Sequence, residues 1–446
     1  MPELKPYAWA TLASMCLAVT MLWRVYQNPA LIGHNHFFDP SPGPDTSSGL
    51  DLWRNVSPAR WKPCSWWSNY TADPTAATTE KTNGYIIIAC SGGLNQMRRD
   101  FCKGVEIARL LNATLLLPRF EASPYWNDTS GFPDIFDVEF FLESVHGWVD
   151  VLRELPAALS SREPVAVTCH KVSGRFDYVE SLLPQLLEHE VILLQPSATQ
   201  RMDRDPDFAR RARCHACYRS LRLVGRLQEI AEAILRRLPR PFVALHLRFE
   251  PDMVAYSRCR YNNLSNASMA SIERVRGSRQ VLGEEVEKLW RRKGKCPLTA
   301  QETAFILTAL NVPASTTIYL AAGSELLEAP KLTATYSHVF QKSDFFSYVG
   351  HLEGLKGSSR AAVDWMVSLH ADVYIATFVG NMDKMVVADR MLAGQHRNLV
   401  LDRHAFAEAK WQGMQETELS KLMLTKHRQH VTSGFGLPVP DCFCKA

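Results

Sequence analysis

Between Gly84 and Pro118 the chain reads as a strand, a glycine turn, a helix and a second strand, an order that constrains it to open an α/β sheet with a βαβ unit. Tyr85 to Cys90 is rich in β-formers, and Ser91-Gly92-Gly93-Leu94-Asn95-Gln96 is the turn. Met97 to Leu111 carries helical spacing at Phe101, Val105, Ala108 and Leu111, and the strand from Thr114 to Leu117 stops at Pro118. Gly92 and Gly93 let the backbone approach a ligand, while the helix start behind them offers unpaired N–H groups to an anion. The spacing is neither that of a dinucleotide fingerprint nor that of a phosphate-binding Walker loop. A glycine turn of this kind also opens α/β domains in which it binds nothing.

The same order returns later. Thr299-Ala-Gln-Glu302 is a capping box for a helix through Leu310, and Thr316 to Ala321 is a strand followed by Gly323. Ala361 to His370 reads as a helix, Asp372 to Thr377 as a strand, Phe378-Val379-Gly380-Asn381 as a turn and Met382 to Leu392 as a helix. A second α/β half is therefore expected. Its first strand is Phe-Val-Ala-Leu-His-Leu-Arg-Phe-Glu, residues 242 to 250. Alternation places Val243, Leu245, Leu247 and Phe249 on one face, and Phe242, Ala244, His246, Arg248 and Glu250 on the other. The carboxyl end of such a strand faces the ligand crevice of an open sheet. An arginine there suits phosphate oxygens, because its planar fork donates two hydrogen bonds and keeps its charge. A local ion pair at a strand end is the competing reading.

With 446 residues the chain has room for two domains and appendages, and 46% hydrophobic content supplies their cores. A net charge of +4 is too small to point to nucleic acid. Pro6 to Trp23 is an uncharged, mostly apolar stretch that as a helix reaches ~27 Å, enough for a thin bilayer. No small-residue cleavage site follows it, so a signal anchor is expected, with the bulk of the chain in the lumen. Glycosylation sequons begin at Asn55, Asn69, Asn112, Asn127, Asn263 and Asn266, and ten cysteines remain beside Cys16, an even number that suits an oxidising compartment. Cys214-His215-Ala216-Cys217 lacks a second Cys/His pair at finger spacing and reads as disulfide or thiol, not zinc. The expected divisions are 1–25 for tip and membrane helix, 26–83 for a stem whose Trp61, Trp66 and Trp67 are candidates to dock, 84–240 and 241–410 for two Rossmann-like domains, and 411–446 for a tail.

Two α/β domains facing a cleft suit a nucleotide-linked substrate. Breaking a sugar–phosphate bond leaves a diphosphate, whose growing charge preorganised arginine and backbone donors can stabilise without a metal. Asp203-Arg204-Asp205 has the letters of a metal-binding Asp-x-Asp but no strand before it, so it reads as surface. Glu250 or Asp252 is the candidate base for an acceptor hydroxyl. A paired-carboxylate hydrolase would use the same acids but would explain neither the arginine nor the glycine turns.

Five motifs in order, Gly92-Gly93-Leu94-Asn95-Gln96-Met97-Arg98, His246-Leu247-Arg248-Phe249-Glu250-Pro251-Asp252-Met253, Cys296-Pro-Leu-Thr299, Thr377-Phe-Val-Gly380-Asn381-Met382 and Pro438-Val-Pro-Asp441-Cys442-Phe-Cys444, resemble the plant O-fucosyltransferase-like family. The resemblance implies a GT-B-like fold of two Rossmann-like domains behind a single transmembrane helix and stem, anchored as a type II protein in the Golgi. It also implies inverting, metal-independent transfer of fucose from GDP-fucose to a glycan or glycoprotein hydroxyl. No cofactor is expected, and UDP-rhamnose is the alternative donor. By the same resemblance Arg248 is the catalytic diphosphate-binding arginine, and Asn95 and His246 line the nucleotide-sugar pocket with Gly92 and Gly93. Thr377, Gly380 and Asn381 fall in the nucleotide loop of the carboxyl-terminal domain. Arg258 stands before Cys259 where the family commonly has glycine, and the link from Tyr336 to Ser359 is short; both bear on the acceptor. A scaffold without activity and a secreted sugar-binding protein are the other classes compatible with the chain.

Overall fold

The computed structural model describes residues 61–67, 81–122, 128–168, 171–172, 175–194, 206–323, 325–349, 354–433 and 442–445. The first half carries a parallel sheet of strands β1 (Tyr85–Cys90), β2 (Thr114–Leu116), β3 (Val151–Leu152), β4 (Val165–Val167) and β5 (Val191–Leu194), in the order β3-β2-β1-β5-β4, with Arg119–Phe120 pairing at the far end of β1. Helix α1 (Leu94–Leu110) follows β1 and buries Met97, Phe101, Val105 and Ala108 against it. The close packing depends on Gly104, where a Cβ would stand 2.4 Å from Ile88 Cγ1. The second half repeats the design with β6 (Phe242–His246), β7 (Thr317–Ala321), β8 (Val339–Phe340), β9 (Val373–Ala376) and β10 (Asn398–Val400), parallel and ordered β8-β7-β6-β9-β10. Two α/β halves with parallel sheets are thus present, as the repeated strand–turn–helix order requires.

The alternation read in β6 holds. Phe242 and Ala244 join a core shared with the first half, whereas Val243, Leu245, Leu247 and Phe249 pack into a second core on the opposite face. The shared core is closed by helices α2 (Gly357–Leu369) and α3 (Asn381–Leu392), which lie against α1 and helix Gly225–Leu235. A buried clamp locks this junction: Arg98 donates to both Asp389 oxygens at 2.9 and 3.1 Å and lies 4.7 Å from the Trp365 ring centre, while Trp365 Nε1 donates to Asp389 at 2.9 Å. A bidentate pair removed from water fixes geometry more firmly than it adds stability.

Beyond residue 411, helix Glu416–Ser433 packs Leu419 and Met423 into the second core, and Phe443–Lys445 pairs antiparallel with Trp61–Pro63. Disulfides Cys64–Cys444 and Cys214–Cys442 fasten this end, Cys102–Cys217 ties α1 to helix Asp207–Tyr218, and Cys259–Cys296 closes a loop in the second half. Of the two readings left open for Cys214 and Cys217, disulfide or thiol, both residues are disulfide-bonded. The indole of Trp67 docks: it is buried, with the Arg219 guanidinium 4.3 Å over it. Among the described residues no helix is long and apolar enough to cross a membrane; Pro6 to Trp23 and Asp203 to Asp205 lie outside those residues.

Candidate active site

Strand β6 ends at His246, earlier than the sequence suggests, so Arg248 and Glu250 are not strand residues. The reason is local. Pro251 takes the first position of a helix, Pro251–Ser257, for which Glu250 is the N-cap and Asp252 lies in the first turn. The backbone between strand and helix is held by Thr377, just after β9: its hydroxyl accepts from the Arg248 N–H at 3.1 Å and donates to the His246 carbonyl at 3.0 Å. The bend replaces an i, i+2, i+4 row with a cluster. Arg248 Nη1 donates to Glu250 at 2.6 Å and to Asp252 at 3.0 Å, and Nη2 donates to the other Asp252 oxygen at 2.6 Å.

The second Glu250 oxygen accepts the Gly323 N–H at 3.0 Å. A guanidinium has five N–H groups, and these three bonds leave the Nε–H and one Nη2–H uncommitted among the described residues. Burial opposes the Arg248 charge, but Glu250 and Asp252 outweigh it and raise the pKa further. The side chain nevertheless keeps 25% exposure, so it can meet a ligand.

Next to it, His246 Nδ1 is 2.6 Å from Asp383 Oδ1, which also accepts the Tyr374 hydroxyl at 2.9 Å. The other Asp383 oxygen accepts the Gly380 N–H at 2.8 Å. Burial pulls the imidazole down, but the Asp383 carboxylate, its hydrogen bond and Glu250 overcome this, and His246 is raised above the ordinary histidine range. Asp383 is the site residue that sequence reading missed. Its signal was its place in the third helical position after a glycine turn, where a carboxylate caps backbone N–H groups.

Of the expected site residues, His246, Arg248, Glu250, Asp252, Thr377 and Gly380 fall into this bonded network. Asn381 accepts from Arg99, one turn along α1 from Asn95, at 3.1 Å, so the two helices that begin at glycine turns start beside each other. Asn95 is buried in the first turn of α1; Gly92 has φ +95° and Gly93 caps the helix in extended conformation. No hydrogen bond among the described residues links Gly92, Gly93 or Asn95 to Arg248 itself.

The family model for GDP-fucose protein O-fucosyltransferase matches residues 85–393. O-fucosyltransferase 13 of Arabidopsis thaliana is 47% identical over 406 residues, which is 91% of this chain and 92% of that protein. Rhamnogalacturonan I rhamnosyltransferase 1 of Arabidopsis thaliana is 33% identical over 337 residues, 72% of this chain and 66% of its own. Among solved structures, POFUT1 in complex with GDP aligns at 16% identity and a TM-score of 0.46, covering 74% of this chain and 99% of that one. With two parallel α/β halves and a match across most of both, this chain belongs to the GDP-fucose protein O-fucosyltransferase family and is a glycosyltransferase.

Proposed function

We propose that the protein transfers L-fucose from GDP-fucose to a hydroxyl of a glycan or glycoprotein, with inversion and without a metal. The observation that carries this reading is the Arg248 fork, oriented by Glu250 and Asp252 beside the Thr377–Asn381 loop and still holding two uncommitted N–H groups. Charge develops on the leaving diphosphate, and a donor fixed in place before the reaction stabilises it at little reorganisation cost. Backbone N–H groups at the starts of α1 and α3 supply further donors.

Asp252 is the base in this scheme. Glu250 is committed to the Gly323 amide as well as to Arg248, and its side chain is 11% exposed against 23% for Asp252. When the diphosphate draws the guanidinium, Asp252 is released to accept the acceptor's proton. His246, held by Asp383, lines the donor side. A Golgi lumenal setting behind a type II anchor fits four disulfides and the exposed sequon asparagines Asn263 and Asn266.

Calorimetric titration with GDP and UDP, with no metal added, tests the donor. GDP binding that is lost in Arg248→Ala, together with fucose transfer by the unaltered protein, is the expected result. The similarity to a rhamnogalacturonan I rhamnosyltransferase keeps UDP-rhamnose as the second reading, and a preference for UDP would select it. A folded protein that binds neither nucleotide would sink both donor readings.

A further inference from the structure

A buried cation near the Arg248 cluster takes no part in the chemistry described above. Lys342 opens a short 3-10 helix, Lys342–Phe345, just beyond β8, and its side chain is only 8% exposed. Its ammonium donates to Asp364 Oδ2, in the middle of α2, at 2.6 Å and to the Ala322 carbonyl at 2.6 Å. The other Asp364 oxygen accepts the Tyr319 hydroxyl of β7 at 2.8 Å. Taking both charges out of water is expensive, and such a pair adds little stability over apolar residues of the same volume. Stability is a weak account of this lysine, and its second acceptor gives a better one.

The Ala322 carbonyl belongs to the peptide whose N–H is that of Gly323. This N–H donates to Glu250 Oε1 at 3.0 Å, and Glu250 Oε2 accepts from Arg248 Nη1 at 2.6 Å. The peptide is trans, so its C=O and N–H point in opposite directions, and holding one aims the other. A cation on the carbonyl also polarises the unit and strengthens the N–H as a donor. Gly323 is exposed, and without that hold its bond to Glu250 competes with water. Glycine leaves room for the carboxylate: a Cβ at residue 323 would stand 3.3 Å from Glu250 Cγ and 3.4 Å from Oε1.

We propose that Lys342 is a positioning residue for the transfer reaction: seated on Asp364, it holds the Ala322–Gly323 peptide so that Glu250 keeps the Arg248 fork aimed at the leaving diphosphate. The inference rests on the reading of Arg248 above and extends it to residues that touch no substrate. Helix α2 then serves twice, since Asp364 seats the lysine while Trp365, the next residue, joins the clamp to α1 through Asp389. Rate depends steeply on such aim, a misplacement of about 1 Å costing up to ~10²-fold.

Steady-state kinetics on the full chain at saturating donor, corrected for folded fraction, test this together with the amide resonance of Gly323 in glycine-labelled protein. Lys342→Met should lower kcat about tenfold or more, and Gly323→Ala, which crowds Glu250 and leaves the buried pair intact, should do the same. Lys342→Met/Asp364→Asn leaves no lone buried charge and answers if Lys342→Met fails to fold. In a Glu250→Ala background Lys342→Met should change kcat by less than about twofold, because the two act through one contact. The Gly323 amide resonance should move in Lys342→Met in the direction it moves in Glu250→Ala. Unchanged kcat in the folded lysine variants or in Gly323→Ala, an equal loss with and without Glu250, or an unmoved Gly323 resonance overturns the inference. A purely structural lysine would shift the unfolding midpoint and leave kcat per folded molecule alone. If the unaltered protein turns over neither GDP-fucose nor UDP-rhamnose, the donor reading fails, and the Gly323 resonance alone decides whether Lys342 holds Glu250.

Discussion

The two halves of the molecule place different chemistry at the same point of the same fold. Both sheets run outward from their first strand, with the second and third strands to one side and the fourth and fifth to the other, though the last two exchange places between the halves. In the first half β1 is followed by Gly92 and Gly93, and what it presents is backbone. In the second, β6 ends at His246 and is followed by Arg248, Glu250 and Asp252 in the turn and helix start behind it, and what it presents is charge. Two histidines, one from each half, differ in the same sense. His215 stacks on Trp148 at 4.7 Å with Nε2 donating to the Ser144 carbonyl at 2.6 Å, and burial lowers its pKa to about 4. His246 has a carboxylate and is raised. A strand end supplies a place, and only the side chains around it decide whether that place shapes a ligand or reacts with it.

The contrast breaks most sharply at Arg248. Arg248→Ala should lower fucose transfer from GDP-fucose by about 10²–10³-fold, whereas Gly92→Ala should weaken donor binding only several-fold; steady-state kinetics on both variants would show whether charge and backbone share the work unequally. Next in size is covalent reinforcement. Removing Cys214–Cys442, which spans 228 residues, by paired serine substitution should cost about 2–5 kcal/mol, and removing Cys259–Cys296, which spans 37, should cost less by denaturant titration. Equal losses would mean that the second half leans on its disulfide as heavily as the first.

Asp383→Asn should cost about 1–3 kcal/mol, since it weakens a buried acceptor for three donors. It should also remove a pH dependence whose sign differs between the halves. The raised His246 stabilises the fold as the protonated form, so its contribution is complete below the ordinary histidine pKa of about 6.5 and is lost as pH rises through the raised value. His215 is the opposite: its contribution is complete above that ordinary value and lost as pH falls toward about 4. Melting temperatures from pH 4 to 8, a window of about four units around the histidine range, should lose the alkaline slope in Asp383→Asn and the acid slope in His215→Phe. The smallest effect is that of Gly92→Ala on stability, about 1–2 kcal/mol for forcing a side chain into left-handed backbone, because the new Cβ would meet only the flexible end of Gln96.

Much of this was legible in the chain. The apolar runs located the leading strands of both halves, and the Thr299 capping box forms as read, with Glu302 N–H donating to the hydroxyl at 3.1 Å. Arg258, where the resemblance led to an expectation of glycine, has φ +61°, a backbone that glycine adopts without strain. The strand through residue 250 was read too long, because alternation continues through Phe249 while Pro251 and the Thr377 hydroxyl end the ladder at His246. Lys288, Arg291 and Arg292, basic in sequence, pair with acids on the same helix or on the helix packed against it.

By itself the sequence determined the local elements, the two glycine turns and the residue types at the crevice, because periodicity and turn chemistry act over a few residues. Only tertiary structure decided that Asp383 holds His246 from 137 residues away, that Arg98 clamps Asp389 across 291, and which cysteines pair. Those contacts depend on how the two sheets pack through their shared helices, and a buried ion pair or disulfide requires positions fixed to fractions of an ångström that no local spacing encodes.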